Sequence, residues 1–327
     1  MRARLRGFLS RVDIGLLAAV ALGAWLRFSR LGDFDNQYYT ATVVSMLKSP
    51  ANFLFASFDP GGAVMVDKPP VSFWVQAIPV SIFGPSRWAV SLPQAVAGTL
   101  AVPILYLAMK PAFGRVAALV AAIALAAIPA SVVIDSRNEP DSLLSFTLLL
   151  SGFCVILSAR TRKWLWLALF AVLMGAAFNI KMLVAFVPLP AFLLYYALAN
   201  KEALRRTVTR LAAAVAILLA VSFSWTVLVA LTPEGERPYV GSTRDNSIWT
   251  LVFKYNGLDR FTSFIGPRPG PGGAAGPLGA QPGGHQGSAK RSHRLKEPME
   301  LRRAFWGSSR SVWPARRGGS CPQRSSC

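Results

Sequence analysis

Residues 66–84 read VDKPPVSFWVQAIPVSIFG, and the reading of this stretch decides on which side of a membrane every later loop falls. An acid and a base, Asp67 and Lys68, precede two prolines and the short apolar run 71–84. A helical crossing needs about 20 apolar residues, and this run is shorter. It is read as a helix lying in the outer interface, with Trp74 at headgroup depth. Pro69 and Pro70 then form its first turn, where a missing N–H costs nothing. Read instead as a short tilted crossing, the run would invert all the loops that follow.

The rest of the chain supports a membrane setting. Of 327 residues, 53% are hydrophobic and only 15% charged, whereas a soluble domain carries roughly 25% charged residues. Beyond a first apolar helix in VDIGLLAAVALGAWLRF (12–28), candidate spans cover 88–109, 115–135, 141–158, 164–179, 182–199 and 211–232. No small-residue cleavage site follows the first helix, so it is expected to be retained. The basic segment MRARLRGFLSR ahead of it places the N-terminus in the cytoplasm. KPAFGR (110–115), ARTRK (159–163) and NKEALRRTVTR (200–210) are basic and fall on the same side. DSRNEPD (135–141), NIK (179–181) and TPEGERPYVGSTRDNS (232–247) fall on the other. Charge counts and the even–odd count of seven helices agree.

The formal charge of +20 would suggest nucleic acid in a soluble protein. Its placement argues against such a partner, because basic residues gather in short inter-helix segments and in the end of the chain. Three domains are expected: a membrane region over 1–262, a Gly/Pro-rich linker over 263–289, and a basic tail over 290–327 without a fold of its own. The three cysteines, Cys154, Cys321 and Cys327, offer neither a disulfide framework nor a metal-binding spacing.

With this topology one face collects an unusual set of polar residues. The first long loop holds Asp33, Asp35, Asp59, Asp67 and Lys68; the loop before the fourth span holds Arg137, Asn138, Glu139 and Asp141; Lys181 lies after the fifth. Asp33, Asp59 and Glu139 read as solvated loop charges. Lys181 sits in a very short turn between apolar spans, and the prolines after Lys68 fix the direction of its ammonium group. Charges at helix ends near lipid are costly unless paired or wetted, so the set reads as the lining of an external cavity. An aspartate can serve as general base toward a hydroxyl or amine acceptor. Lysines and an arginine can hold a phosphate and stabilise the charge that develops as it leaves. These parts suit transfer of a group from a lipid-linked phosphate at the membrane surface.

The ordered series FDNQYYTATVVSMLKS (34–49), FDPGG (58–62), VDKPPVSFWVQAIPVSIFG (66–84), SRNEPDSLLSF (136–146), GAAFNIKMLVAF (175–186) and LTPEGERPYVGS (231–242) resembles a known family. It is similar to the polytopic glycosyltransferases of the protein O-mannosyltransferase and aminoarabinose-transferase type, and looks closest to actinobacterial members of glycosyltransferase family 39. The resemblance covers roughly residues 10–262. It implies an all-α, GT-C-like helical bundle with about seven membrane helices, interfacial helices in an outer first loop, and an active site on the outer face of the cytoplasmic membrane. The implied donor is a polyprenyl-phosphate-linked sugar. Transfer would invert the anomeric carbon, toward a glycan, protein or lipid acceptor.

The family's catalytic aspartate stands four residues before a tyrosine, a spacing that Asp35 and Tyr39 match and Asp33 does not. The resemblance makes Asp35 the base, Lys68, Lys181 and Arg137 the donor-phosphate contacts, and Tyr39, Asp67, Asp141 and Asn138 supporting residues. Asp67 would orient Lys68 or help hold a divalent metal, which some members use. Two departures stand out. Asn36 occupies a position where a glutamate often follows the aspartate, and RNEPD replaces the RNNTMD of near relatives, so Pro140 alters the approach to Asp141. Family members continue with further membrane helices where this chain has its Arg-rich tail, and a truncated or frame-shifted product is expected. The alternatives are a catalytically inactive remnant, or a lipid-linked sugar transporter or flippase. A flippase would carry mid-membrane charges or paired repeats of broken helices, and the sequence displays neither.

Overall fold

The computed structural model describes residues 13–33, 35–200 and 202–259, all within one unit, Met1–Ala274. The expected linker at 263–289 and tail at 290–327 lie outside the described residues, as does the basic N-terminal segment.

Helix α1 (Ile14–Phe28) starts at Asp13, whose carboxylate caps it by accepting from the Gly15 N–H at 3.1 Å. After it come three short helices, α2 (Gln37–Met46), α3 (Pro50–Phe55) and α4 (Val71–Phe83). Element α5 (Arg87–Ala127) consists of two helical arms broken at Gly114, and is followed by α6 (Pro129–Asp135), α7 (Pro140–Thr161) and α8 (Trp164–Lys181). A 3₁₀ turn (Met182–Phe186) leads into α9 (Leu189–Ala199) and α10 (Leu204–Leu231), and the described chain closes with a π-helical segment, Thr250–Leu258. Each of the seven expected apolar spans is helical. Among the described residues, four helical stretches are long and apolar enough to cross a membrane: Arg87–Ala127, Pro140–Thr161, Trp164–Phe186 and Leu204–Leu231.

Several boundaries differ from expectation, each for a local reason. The expected spans 88–109 and 115–135 are joined in one hairpin. Gly114 adopts φ 80°, ψ 175°, a conformation a side chain would resist. It folds the arms together, so that Val102 and Tyr106 pack with Ala118, Ala122, Ala126 and Ala19 of α1. The second arm stops at Ile128, because Pro129 cannot continue the helix and instead starts α6. Lys181 is the last residue of α8 rather than part of a turn, and Met182, at φ 53°, ends the helix. The expected span 182–199 is therefore split into the 3₁₀ turn and the eleven-residue α9. Helix α10 begins seven residues early, taking in part of the basic segment. Pro70 is the N-cap of α4, so both prolines lie just ahead of the helix rather than in its first turn.

Helix α4 is thirteen residues long, about 20 Å at 1.5 Å per residue, which is short of a bilayer core. One face, including Phe73, Gln76, Ala77 and Val80, is buried, while Ile78, Ile82 and Phe83 are exposed. Trp74 stacks on Phe53 of α3 and donates its indole N–H to the Phe53 carbonyl at 2.7 Å. Trp225 of α10 likewise donates to the Leu54 carbonyl at 2.9 Å, fastening α3 to the bundle.

Lipid tails are as apolar as leucine, so helices in a bilayer associate through close packing and internal polar bonds. Asn179 of α8 provides such a bond, donating to the Val221 and Ser222 carbonyls of α10 at 2.9 and 3.1 Å. The fully buried Arg27 of α1 provides a stronger one. Its Nε meets Asp135 Oδ2 at 2.8 Å, and its other nitrogens donate to the Gly23, Leu125 and Ala126 carbonyls and to the Ser131 hydroxyl. Gly98 makes room for this pair, since a Cβ there would stand 2.3 Å from Asp135 Oδ2.

Segments expected to share the cytoplasmic side do meet. Arg115 donates to both Asp13 oxygens, at 2.8 and 3.0 Å. That guanidinium, with the Tyr106 hydroxyl, holds the Asp13 carboxyl well below the usual carboxylate range. Arg210 pairs with Glu202 at 2.7 Å and donates to the Arg162 carbonyl at 3.1 Å.

Candidate active site

At the other end of the bundle, three polar groups assemble from the segments that sequence reading assigned to one face. The first surrounds Asp35. Asn36 caps α2 by accepting from the Tyr38 N–H at 3.1 Å, which sets Asp35 at the helix entrance. The Asp35 carboxylate is nearly buried; it accepts from the Thr40 hydroxyl at 3.1 Å and faces Arg87 Nε at 3.3 Å. Asn138, fully buried in the turn before α7, locks this entrance. Its Oδ1 accepts from the Asn36 N–H at 2.6 Å, and its Nδ2 donates to the Asn36 carbonyl and the Thr40 hydroxyl at 3.1 and 3.0 Å. Gln76 of α4 donates to the Asn138 carbonyl at 3.1 Å. Asp35 and Asn138 are thus brought together through Thr40, as members of one network.

The second group is Asp67 with Lys68. The Lys68 ammonium is buried, ion-paired to Asp67 Oδ2, and lies 5.5 Å from the centre of the Tyr255 ring. The Tyr255 hydroxyl reaches the same Asp67 oxygen at 3.3 Å, and Asn256 Nδ2 donates to the Asp67 carbonyl at 3.0 Å. Burial, together with the Asp67 charge, pushes the Tyr38 phenol well above its ordinary value. Tyr38, then, is the α2 tyrosine beside this ion pair. Tyr39, which the family spacing singled out, packs into the core against Phe73, ring centroids 5.2 Å apart.

The third group is Lys181, ion-paired to Asp141 between the end of α8 and the first turn of α7. Arg137 stands in the turn between α6 and α7, half-buried, its N–H donating to the Ile134 carbonyl at 3.2 Å. Shared packing ties the groups to one end: Val71 and Val75, just after Lys68, pack with Ile180 and Leu143, neighbours of Lys181 and Asp141. Asp59 has a local task, its carboxylate accepting from the Ala63 and Val64 N–H groups to close the loop ahead of Asp67.

An apolar groove of about 400 Å³ runs beside this end, between α4, α5 and α7. Val75, Ile78, Pro93, Ala97, Leu143 and Phe146 are among its walls. Val75, Ala97 and Leu143 belong to the same core cluster as Ile180, the chain neighbour of Lys181.

Of the two Asp67 carboxylate oxygens, Oδ1 is buried without a hydrogen-bond partner. The other, Oδ2, faces an ammonium and a phenol hydroxyl, and among the described residues no three His, Cys, Asp or Glu side chains gather.

Sequence reading did not find Thr40, Arg87, Tyr38, Tyr255 or Asn256. Thr40 lies one helical turn beyond the cap, a weak but usable signal. Tyr255 and Asn256 meet Asp67 only because the 237–258 segment folds back against the first loop. Tyr239 exchanges backbone hydrogen bonds with Ala63 and Met65, each 2.8 Å long.

Residues 67–225 match the family described as dolichyl-phosphate-mannose-protein mannosyltransferase. Two proteins of Bacillus subtilis (strain 168), "Putative mannosyltransferase YkcB" and "Putative mannosyltransferase YycA", are each 42% identical to the chain, over 253 and 252 residues. The matches cover 77% and 76% of this chain but 35% and 37% of those proteins, so the chain spans just over a third of the curated relatives it matches. ArnT from Cupriavidus metallidurans, in a crystal structure bound to undecaprenyl phosphate, has a TM-score of 0.54 at 23% identity, covering 73% of this chain and 43% of its own. The Archaeoglobus fulgidus oligosaccharyltransferase in its apo form has a TM-score of 0.51 at 17% identity, covering 66% and 29%. These likenesses establish the helical GT-C fold. The match to that family thus covers residues 67–225, just under half of the chain.

Proposed function

We propose that this chain is part of a membrane glycosyltransferase that moves a sugar from a polyprenyl-phosphate donor to a hydroxyl acceptor on the outer face of the cytoplasmic membrane. One observation carries the reading: three ionic groups distant in sequence converge at one end of a helical bundle, beside an apolar groove. The undecaprenyl phosphate bound to ArnT supports a prenyl-phosphate donor here. The relatives' description as mannosyltransferases makes mannose the first sugar to test.

In this reading the prenyl chain lies along the α4–α5–α7 groove, with its phosphate at the groove's polar end. Lys68 and Lys181 balance the phosphate charge, while Asp67 and Asp141 hold their ammonium groups in place. Arg137 is a further candidate contact from the turn between them. Asp35, oriented by Thr40, Arg87 and Asn138, takes the proton of the acceptor hydroxyl. The acceptor oxygen bonds to the anomeric carbon as the bond from that carbon to the phosphate oxygen breaks. The electron pair leaves on the prenyl phosphate, and attack opposite the leaving group inverts the carbon. Charge accumulates on the departing phosphate, where fixed cations stabilise it most.

Asp35→Asn keeps the size of the side chain and removes the base. Membranes carrying it should transfer label from polyprenyl-phosphate mannose at least about 100-fold more slowly than wild type, the scale of a lost general base. Transfer at the wild-type rate would eliminate Asp35 as the base.

A further inference from the structure

The segment after α10 builds a second pocket, one that the donor chemistry above leaves unused. Arg237, its side chain largely buried, donates to the Thr232 carbonyl at 3.2 Å and to the Asn246 carbonyl and Oδ1 at 2.9 Å each. Asn246 Oδ1 also accepts from the Val240 N–H at 2.9 Å, closing the loop on itself. Gly241 passes so near the first loop that a Cβ would stand 2.2 Å from the Met65 carbonyl oxygen. Ser242 and Asn246 are held at φ 63° and 52°, conformations that persist in non-glycine residues only where the surroundings impose them.

Between this loop and the π-helical segment Thr250–Leu258 lies a polar pocket of about 460 Å³, lined by Ser242, Thr243, Arg244, Asp245, Lys254 and Tyr255, with Asp259 at its edge. Asp245 is already engaged, accepting from the Thr250 hydroxyl at 2.7 Å and the Ser247 N–H at 3.3 Å. Asp259 has contacts of its own. Arg244 and Lys254 form no hydrogen bond or ion pair among the described residues, although the Lys254 charge helps to hold the Asp245 carboxyl down. The pocket so presents two cations without a direct partner, the Ser242 hydroxyl, and the Thr243 hydroxyl, which donates to the Val240 carbonyl at 2.7 Å and can still accept. Tyr255 is its common wall with the Asp67–Lys68 group, touching Asp67 with its hydroxyl and Lys68 with its ring. The groove suited to a prenyl chain lies elsewhere, between α4, α5 and α7.

We propose that this pocket holds the acceptor, and that the acceptor carries an anionic group beside the hydroxyls it offers. The assignment rests on the reading of Lys68 as a donor-phosphate contact, since a ligand against Tyr255 then lies next to the leaving group. Arg244 and Lys254 bind the anion, and Ser242 and Thr243 meet its hydroxyl-bearing neighbours.

The test uses the full chain in phosphatidylcholine nanodiscs, with radiolabelled glucose 6-phosphate as probe and glucose as its neutral counterpart. Wild type should bind glucose 6-phosphate at least tenfold more tightly than glucose. Arg244→Ala and Lys254→Ala should each weaken that binding about tenfold, the scale of one lost charge-assisted hydrogen bond. Labelling by a photoreactive prenyl phosphate, measured in the same samples, should change less than twofold. Equal binding of the two sugars, no binding by wild type, or unaltered binding in both variants would overturn the proposal. Competition by phosphatidylglycerol in the nanodisc, with no competition between the sugar phosphate and a transfer acceptor, would assign the cations to lipid headgroups and overturn it as well. Loss of prenyl-phosphate labelling in wild type alone would strike the donor reading instead.

Discussion

Arg27 carries a full charge at a fully buried position in the first helix, and nothing within its own segment accounts for it. Its partner Asp135 stands 108 positions away, at the end of α6. Removing one member of a buried pair leaves the other uncompensated, at about 3–5 kcal/mol. Arg27→Met should therefore lower stability by about that much in detergent unfolding, whereas Arg27→Met with Asp135→Leu should recover most of the loss. A single variant as stable as wild type would show that the pair contributes nothing. The same separation in sequence explains why the pair was not legible there: Arg27 reads as an ordinary basic helix end, and Asp135 as one charge of a polar loop. Lys68 and Lys181 stand out in the sequence because a proline-fixed and an apolar context surround them, whereas Asp35 is singled out only by the Asp–Tyr spacing of the resemblance. Tyr38 and Tyr39 were not distinguishable, since adjacent positions on a helix face different ways and only the packed neighbours, Asp67 or Phe73, tell them apart.

Hydropathy located every apolar helix but not where each one breaks. The breaks depend on single backbone conformations, at Gly114, at Ile128–Pro129 and at Met182, that leave the average character of a window unchanged. Helix α4 is the instructive element. Its length excluded an ordinary crossing, and its exposed apolar residues, Ile78 and Ile82, become walls of the groove. An indole at Val75 or Leu143 should obstruct that groove near its polar end. With Val75→Trp, KM for a long-chain prenyl-phosphate donor should rise at least about tenfold, while a donor with one or two isoprene units is spared; each buried CH₂ lost from the tail costs about 0.8 kcal/mol. Equal effects on both donors would remove the groove from the donor site.

For the molecule as a whole, topology is the property on which the site depends. Counting charges in short loops sorted them into two sets, and contacts in the structure respect the sorting: Arg115 with Asp13 and Arg210 with Arg162 at one end, Asn138 with Asn36 and Lys181 with Asp141 at the other. A split or lengthened helix does not by itself alter the number of reversals, so the expected parity does not depend on the misplaced boundaries. The way the 237–258 segment folds back over the first loop, by contrast, rests on backbone pairing of Tyr239 with Ala63 and Met65, for which single residues carry no signature. The central claim is that the loops bearing Asp35, Lys68, Asp141 and Lys181 share the outer side. It is tested by labelling single cysteines with a membrane-impermeant maleimide on intact cells, after Cys154, Cys321 and Cys327 are replaced by alanine. Gly61→Cys and Glu234→Cys should label at once, and Lys163→Cys and Arg206→Cys only after permeabilisation. Positions 61 and 234 labelling from opposite sides would contradict the account, because the three groups could then form no common site.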